Sequence, residues 1–254
     1  MTVSHLEFDL LWEHVGFTER PYPLTVASFG ESMAERDQLR TQVRESLCDK
    51  GLHDGSEVDS RLEEHLLLLS GGTLSIDGQL SVGRHLRVLA VGTRGRAVLV
   101  TQTDDAVTLT PMRENGMVPS IVGLLPDEQP GPGGTVRLAK DVLDEAIDEF
   151  AAGGHLGMER ALNRGGVSGR DMRAVITLVE SGRHGGGQLA VNSADDLGRR
   201  TRTPVLNWFD TEPGRYLVVD EPSRDGVAWL SIIPADTERI ARRLTELVER
   251  AGTR

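Results

Sequence analysis

Ser168 is the residue that comes nearest to a catalytic arrangement, in Gly166-Val167-Ser168-Gly169. A nucleophile elbow holds its serine on a sharp strand-to-helix turn and needs a second glycine two residues later. Here Arg170 occupies that place, and no strand pattern precedes the segment. Ser168 followed by Asp171 reads instead as a capping box opening a helix that runs through Glu180. The seven histidines show neither H-x-x-x-H spacing nor pairing with the single cysteine, so no zinc site is expected. His14, His53, His65 and His155 read as surface or boundary residues. His184 lies in GRHGGG, which lacks the G-K-[ST] ending of a phosphate loop and reads as a flexible lead-in to a strand. The acid pairs Asp104-Asp105 and Asp195-Asp196 fall in turn segments, where solvated aspartate is normal. No catalytic residues, metal or organic cofactor are expected.

Composition narrows the classes further. The chain has 254 residues and a net charge of -11, which opposes binding to nucleic acid or an anionic membrane. Its 28 basic residues include only two lysines, Lys50 and Lys140. The lone Cys48 excludes an internal disulfide and fits a reducing compartment. No apolar run is long enough to span a bilayer, and MTVSHLEFDLLWEH has acids where a signal peptide needs an apolar core. A cytoplasmic protein is expected.

One pattern of strands occurs twice. TLSIDGQLSV leads to HLRVLAVGTRGRAVLVTQTDDAVTLTPM; GGGQLAVNSA, after a polar insert, leads to PVLNWFDTEPGRYLVVDEPSRDGVAWLSIIP. Turns at TRG, DD, EPG and SRDG separate the apolar runs, as in hairpins. Strands are expected near 73–82, 86–93, 96–103, 106–111, 187–193, 204–210, 215–220 and 227–233. The fold class is α+β, with a central antiparallel sheet flanked by helices and two halves, 1–125 and 126–254, related by a pseudo-two-fold axis. Residues 113–135 read as loop and hinge.

The helices follow from apolar periodicity. Residues 5–15 form the first. Ser28 with Glu31 reads as a capping box for the second, about 31–50, and Asp59 or Ser60 opens a third presenting Leu62, Leu66 and Leu69. VRLAKDVLDEAIDEFAA carries a stripe from Leu138 to Phe150, and Gly153-Gly154 ends it; GMERALNRGG is a short helix. The insert SADDLGRRTRT reads as a mobile loop. The last helix, about 236–251, presents Ile240, Leu244, Leu247 and Val248.

In the strand Val205-Leu206-Asn207-Trp208-Phe209 both faces are apolar. One face packs on helices; the other meets either a second layer or a partner. Trp12 and Trp229 read as core. The expected partner surface comprises the open sheet face, the 81–86 connection and the helices around 156–175. Leu80, Val82, Val205 and Phe209 are its candidate anchors, Arg84, His85, Arg170 and Arg215 its rim, and Met158 and Met172 its adaptable contacts.

The opening FDLLWEHVGFTERPYPLTVAS resembles that of the EspG proteins, cytosolic chaperones of type VII (ESX) secretion in actinobacteria. ERDQLRTQVRESLCDKGLHDGSEVDSRLEEHLLLLSGG, VLNWFDTEPGRYLV and VAWLSIIPAD resemble later parts of the same family in the same order. The resemblance covers nearly the whole chain. It implies an α+β fold of two similar halves, no catalysis, and binding of the apolar tip of a PE–PPE-like helical heterodimer to keep it soluble for secretion. A homodimer of the cargo-free chain is compatible with this. The competing classes are a small-molecule enzyme, or a ligand-sensing protein, using the cleft between the halves.

Overall fold

The computed structural model describes residues 1–195, 197–221 and 226–252. Among the described residues, eleven strands form one antiparallel sheet: β1 (Thr2–Ser4), β2 (Leu74–Ser81), β3 (His85–Thr93), β4 (Arg96–Gln102), β5 (Ala106–Arg113), β6 (Val136–Ala139), β7 (Gly185–Ala194), β8 (Arg200–Arg202), β9 (Leu206–Thr211), β10 (Gly214–Glu221) and β11 (Trp229–Pro234). The order is β1-β5-β4-β3-β2-β7-β9-β10-β11-β6, with β8 added beside β7. From the central β2–β7 pair outward, the strands of each half therefore come in the same order of chain connection. All eight expected strands are present. The expected SRDG turn and Asp196 lie outside the described residues, apart from Gly226.

The helices are α1 (His5–His14), α2 (Met33–Asp49), α3 (Ser60–Gly71), α4 (Met117–Val122), α5 (Lys140–Arg164), α6 (Gly169–Glu180) and α7 (Thr237–Gly252). Local chemistry sets their ends. Ser4 and Glu7 form a reciprocal capping box at α1, and Asp59 accepts from the backbone N–H groups of Arg61 and Leu62 at α3. Inside α5, Gly154 adopts φ 60°, ψ −153°, a region open essentially to glycine alone. The backbone breaks there, as expected from Gly153-Gly154.

Three apolar clusters place these layers. One sheet face is covered at its centre by α4 and α7, through Ile121, Ile240, Leu244 and Leu247 against Ile76, Leu80, Leu189, Val191, Leu206 and Trp208. The other face carries two separate helical groups. α1, α2 and α3 cover β3, β4 and β5, with Trp12 and Leu66 at their core. α5 and α6 cover β6, β9, β10 and β11, with Phe209 stacked on Tyr216 at 5.6 Å between ring centroids. The large buried apolar side chains of β2 and β7 (Ile76, Leu80, Leu189 and Val191) all pack on the α4/α7 side.

Several expectations are corrected. α4 occupies part of the expected 113–135 loop; Met117, Ile121 and Val122 give too short a stripe to reveal it. Residues 136–139 are strand β6, because Leu138 falls in helical phase with Val142 while its backbone pairs with β11. Ser32, not Ser28, caps α2. Ser168 sits at the N-cap of α6 with extended backbone, but its side chain makes no capping bond. Trp229 is half-buried, with the Arg137 guanidinium 4.2 Å over its ring. The expected mobile insert contains β8, paired with β7. Gly185, Gly186 and Gly187 are strand residues rather than a flexible lead-in. A Cβ on Gly187 would lie 2.8 Å from Gln79 O and 2.9 Å from Leu80 Cδ2, so only glycine fits between β2 and β9.

Candidate functional site

The face of β2 and β7 turned away from α7 forms the floor of a saddle between the two helical groups. Alternation aims Ser75, Asp77, Gln79 and Ser81 of β2 that way, with Gln188, Ala190 and Asn192 of β7. Register then aligns one row across five strands, polar from β3 to β9 and ending on Val218 of β10. Arg87 pairs with Gln79, Gln79 with Gln188, Gln188 with Asn207, and Asn207 with Val218. Gln79 is exposed, and the other four are half-buried.

Beside this row the floor is braced. Asp77 is 3% exposed, and its carboxylate accepts from Arg202 at 2.6 and 2.9 Å and from Asn192 Nδ2 at 2.6 Å. The Asp77 hydrogen bond pushes the Arg202 pKa up. The guanidinium of Arg202 also lies 5.5 Å over Tyr22, whose hydroxyl accepts from Gln79 Nε2 at 3.2 Å. Tyr22 is 54% exposed. A cavity of about 210 Å³ opens here, lined by Tyr22, Leu69, Asp77, Leu89, Asn192 and Arg202 among others. Sequence reasoning missed Tyr22, Gln79, Gln188 and Arg202 as site residues. The alternation of β2 and β7 was the available signal, but it reads as an ordinary solvated sheet face until the gap between the helical groups is seen.

The ten expected partner residues do not come together as one surface. Phe209 points to the saddle side but is core beneath α5 and α6. Val205 precedes β9, is half-buried, and lines a cavity with Leu206, Val219 and Leu247 of the α4/α7 side. Leu80 and Val82 pack on the opposite side, in the α4/α7 layer, where Leu80 is 2% exposed. Arg84 and His85 are exposed at the β2–β3 turn, which Gly83 closes at φ 75°. His85 pairs with Ser81 and so faces the saddle side. Met158 is wholly buried in the α5/α6 core; Met172 is half-buried, and Arg170 is exposed at the start of α6. Arg215 is no rim residue. It is 0% exposed, donates to both oxygens of Asp210, and reaches Thr237 Oγ1 at 3.0 Å and Pro126 O at 2.9 Å. Leu80, Met158, Phe209 and Arg215 could contact a partner only if helices or strands moved. The cause is the same for all four: each sits where a helix layer closes over the sheet.

Among the described residues, no helix is long and apolar enough to cross a membrane. The EspG family model matches residues 4–246. Among solved structures, one similar to this chain is the type VII secretion system chaperone EspG5 of Mycobacterium tuberculosis in complex with the PE25–PPE41 dimer. The TM-score is 0.77 at 15% identity, covering 98% of this chain and 95% of that one. At that identity the likeness is one of fold. No curated protein matches the chain in sequence.

Proposed function

This chain belongs to the EspG family, and from that premise we propose that it is a non-enzymatic cytosolic chaperone of type VII (ESX) secretion. Its cargo is a PE–PPE-like helical heterodimer, whose apolar tip it covers and keeps soluble. The family match over nearly the whole chain carries this reading. The saddle supports it physically. A helical-hairpin tip exposes apolar side chains together with unpaired backbone N–H and C=O groups at its helix ends. Gln79, Gln188 and Asn207 can donate and accept at once, so they suit such backbone groups. Tyr22 and Met172 supply apolar contact near the edges, and Arg84, His85 and Arg170 supply an outer rim. Val82 supports the β2–β3 turn from the opposite side. We place the cargo on this surface. We also propose that the halves 1–125 and 126–254 superpose about a two-fold axis, as the mirrored strand order suggests.

Co-expression with a PE–PPE-like heterodimer of its own host tests the function. The heterodimer is expected in the soluble fraction, in a stoichiometric complex with this chain. A heterodimer equally soluble without the chain, and forming no complex with it, would overturn the proposal.

A further inference from the structure

The fold gathers a ligand set that no spacing in the sequence announces. Glu128 lies in the linker between the halves, His184 just before β7, and Asp210 in β9. One ligand atom from each lies within 4.8 Å of the others. We propose that these three side chains bind a divalent transition-metal ion of the zinc class. One imidazole and two carboxylates make a donor set for an open site, with water completing the shell.

The elements hold the three groups in unequal ways. Asp210 is buried and fixed, because the Arg215 Nε donates to Oδ1 at 2.6 Å and its terminal nitrogen to Oδ2 at 3.0 Å. Arg215 then acts as an outer partner that orients the carboxylate and leaves the second lone pair of each oxygen. The His184 backbone N–H donates to the Asp210 carbonyl at 3.1 Å, which anchors the histidine beside the acid. His184 Nε2 stands 3.5 Å from Glu128 Oε1. Both of these side chains reach solvent and can rotate. An ion equidistant from the three atoms would start about 3 Å or less from each, and ligand distances of ~2.0–2.2 Å need only a small closure by the two mobile groups. Gly185 leaves the approach open: a Cβ there would lie 3.2 Å from Asp210 Oδ2.

A second histidine with two acids shows what separates a site from an ion-pair cluster. His155 Nδ1 meets Glu180 at 2.8 Å, and its Nε2 meets Glu159 at 3.4 Å. The two acids use opposite ring nitrogens, so they cannot share one ion. At Glu128, His184 and Asp210 the groups converge. The bound ion would pin the linker to the sheet beside two further ties, the parallel bridge of Pro130 with Arg215 and the bond from Arg215 to Pro126 O.

The test is calorimetric titration of the chelator-stripped chain with zinc chloride at pH 7.5, with cobalt absorption as a second readout. One equivalent is expected to bind with a Kd of ~10 µM or tighter and to raise the melting temperature. His184→Ala and Glu128→Gln, both at surface positions, are expected to weaken binding at least about tenfold while the zinc-free melting temperature stays unchanged. His155→Ala is expected to bind zinc like the parent. Absence of saturable binding at one equivalent would overturn the site. So would a His184→Ala variant that binds zinc as tightly as the parent.

Discussion

Replacing Arg215 with methionine is the sharpest test of the packing. As an exposed rim residue, the role suggested by sequence, its loss would leave the melting temperature nearly unchanged. In the structure Arg215 is 0% and Asp210 1% exposed in their side chains, and among the described residues no other side-chain cation is bonded to Asp210. Arg215→Met would leave a buried carboxylate uncompensated, and such a break costs about 3–5 kcal/mol. It also removes the bonds to Thr237 at the start of α7 and to Pro126 O in the linker, and the cation stacked 4.7 Å over Trp208. For a chain of this size, about 3–5 kcal/mol corresponds to a fall in melting temperature of roughly 6–20 °C. The double variant Asp210→Leu/Arg215→Met removes both charges and should recover most of that loss. Urea and thermal denaturation read both quantities. A single variant that loses under about 1 kcal/mol, or a double variant worse than the single, would refute the assignment of a buried, mutually dependent pair.

Phe209→Asp should destabilise by about 3–5 kcal/mol, because the ring is 6% exposed and stacked on Tyr216; an unchanged urea midpoint would mean that it is surface. Gly187→Val should abolish cooperative unfolding, or yield insoluble protein, since its Cβ would meet backbone on the central β2–β7 pair; a normal melting curve would contradict that packing. Burial lowers the His65 pKa below 6.5, so the unfolded chain takes up the proton first as pH falls. Stability from this group is complete above about pH 6.5 and declines below it, by at most about 1.4 kcal/mol per pH unit. His65→Leu should flatten the melting profile between about pH 6.5 and 5; an unchanged slope would remove His65 as its source.

Much of the fold was legible because its strands are bounded by turn chemistry and its helices by wide apolar stripes. The eight expected strands and the Leu62/Leu66/Leu69 face of α3 are examples. What stayed hidden depends on tertiary partners. β8 is three exposed residues with no apolar content, held by pairing to β7 and by the Arg202–Asp77 ion pair. β6 looks helical because Leu138 keeps phase with the helix that follows. The candidate surface was half legible. The two-faced strand around Phe209 was visible, but whether its second face met helices or a partner depended on where α5 and α6 came to rest. The polar row from Arg87 to Asn207 exists only through register across four strands. The three groups around Asp210 are 56 and 26 residues apart along the chain and converge only in the fold.

The most direct test of the central claim is titration of the purified chain into a PE–PPE-like heterodimer of its own host, with Gln79→Glu/Gln188→Glu run beside the parent. A one-to-one complex is predicted for the parent. The double variant sets two carboxylates directly opposite each other and should melt up to roughly 5 °C lower while staying folded. It should bind at least about tenfold more weakly, because two carboxylates replace groups that both donate and accept. A parent that forms no complex would contradict the chaperone reading; a folded double variant that binds like the parent would contradict the saddle as the cargo surface.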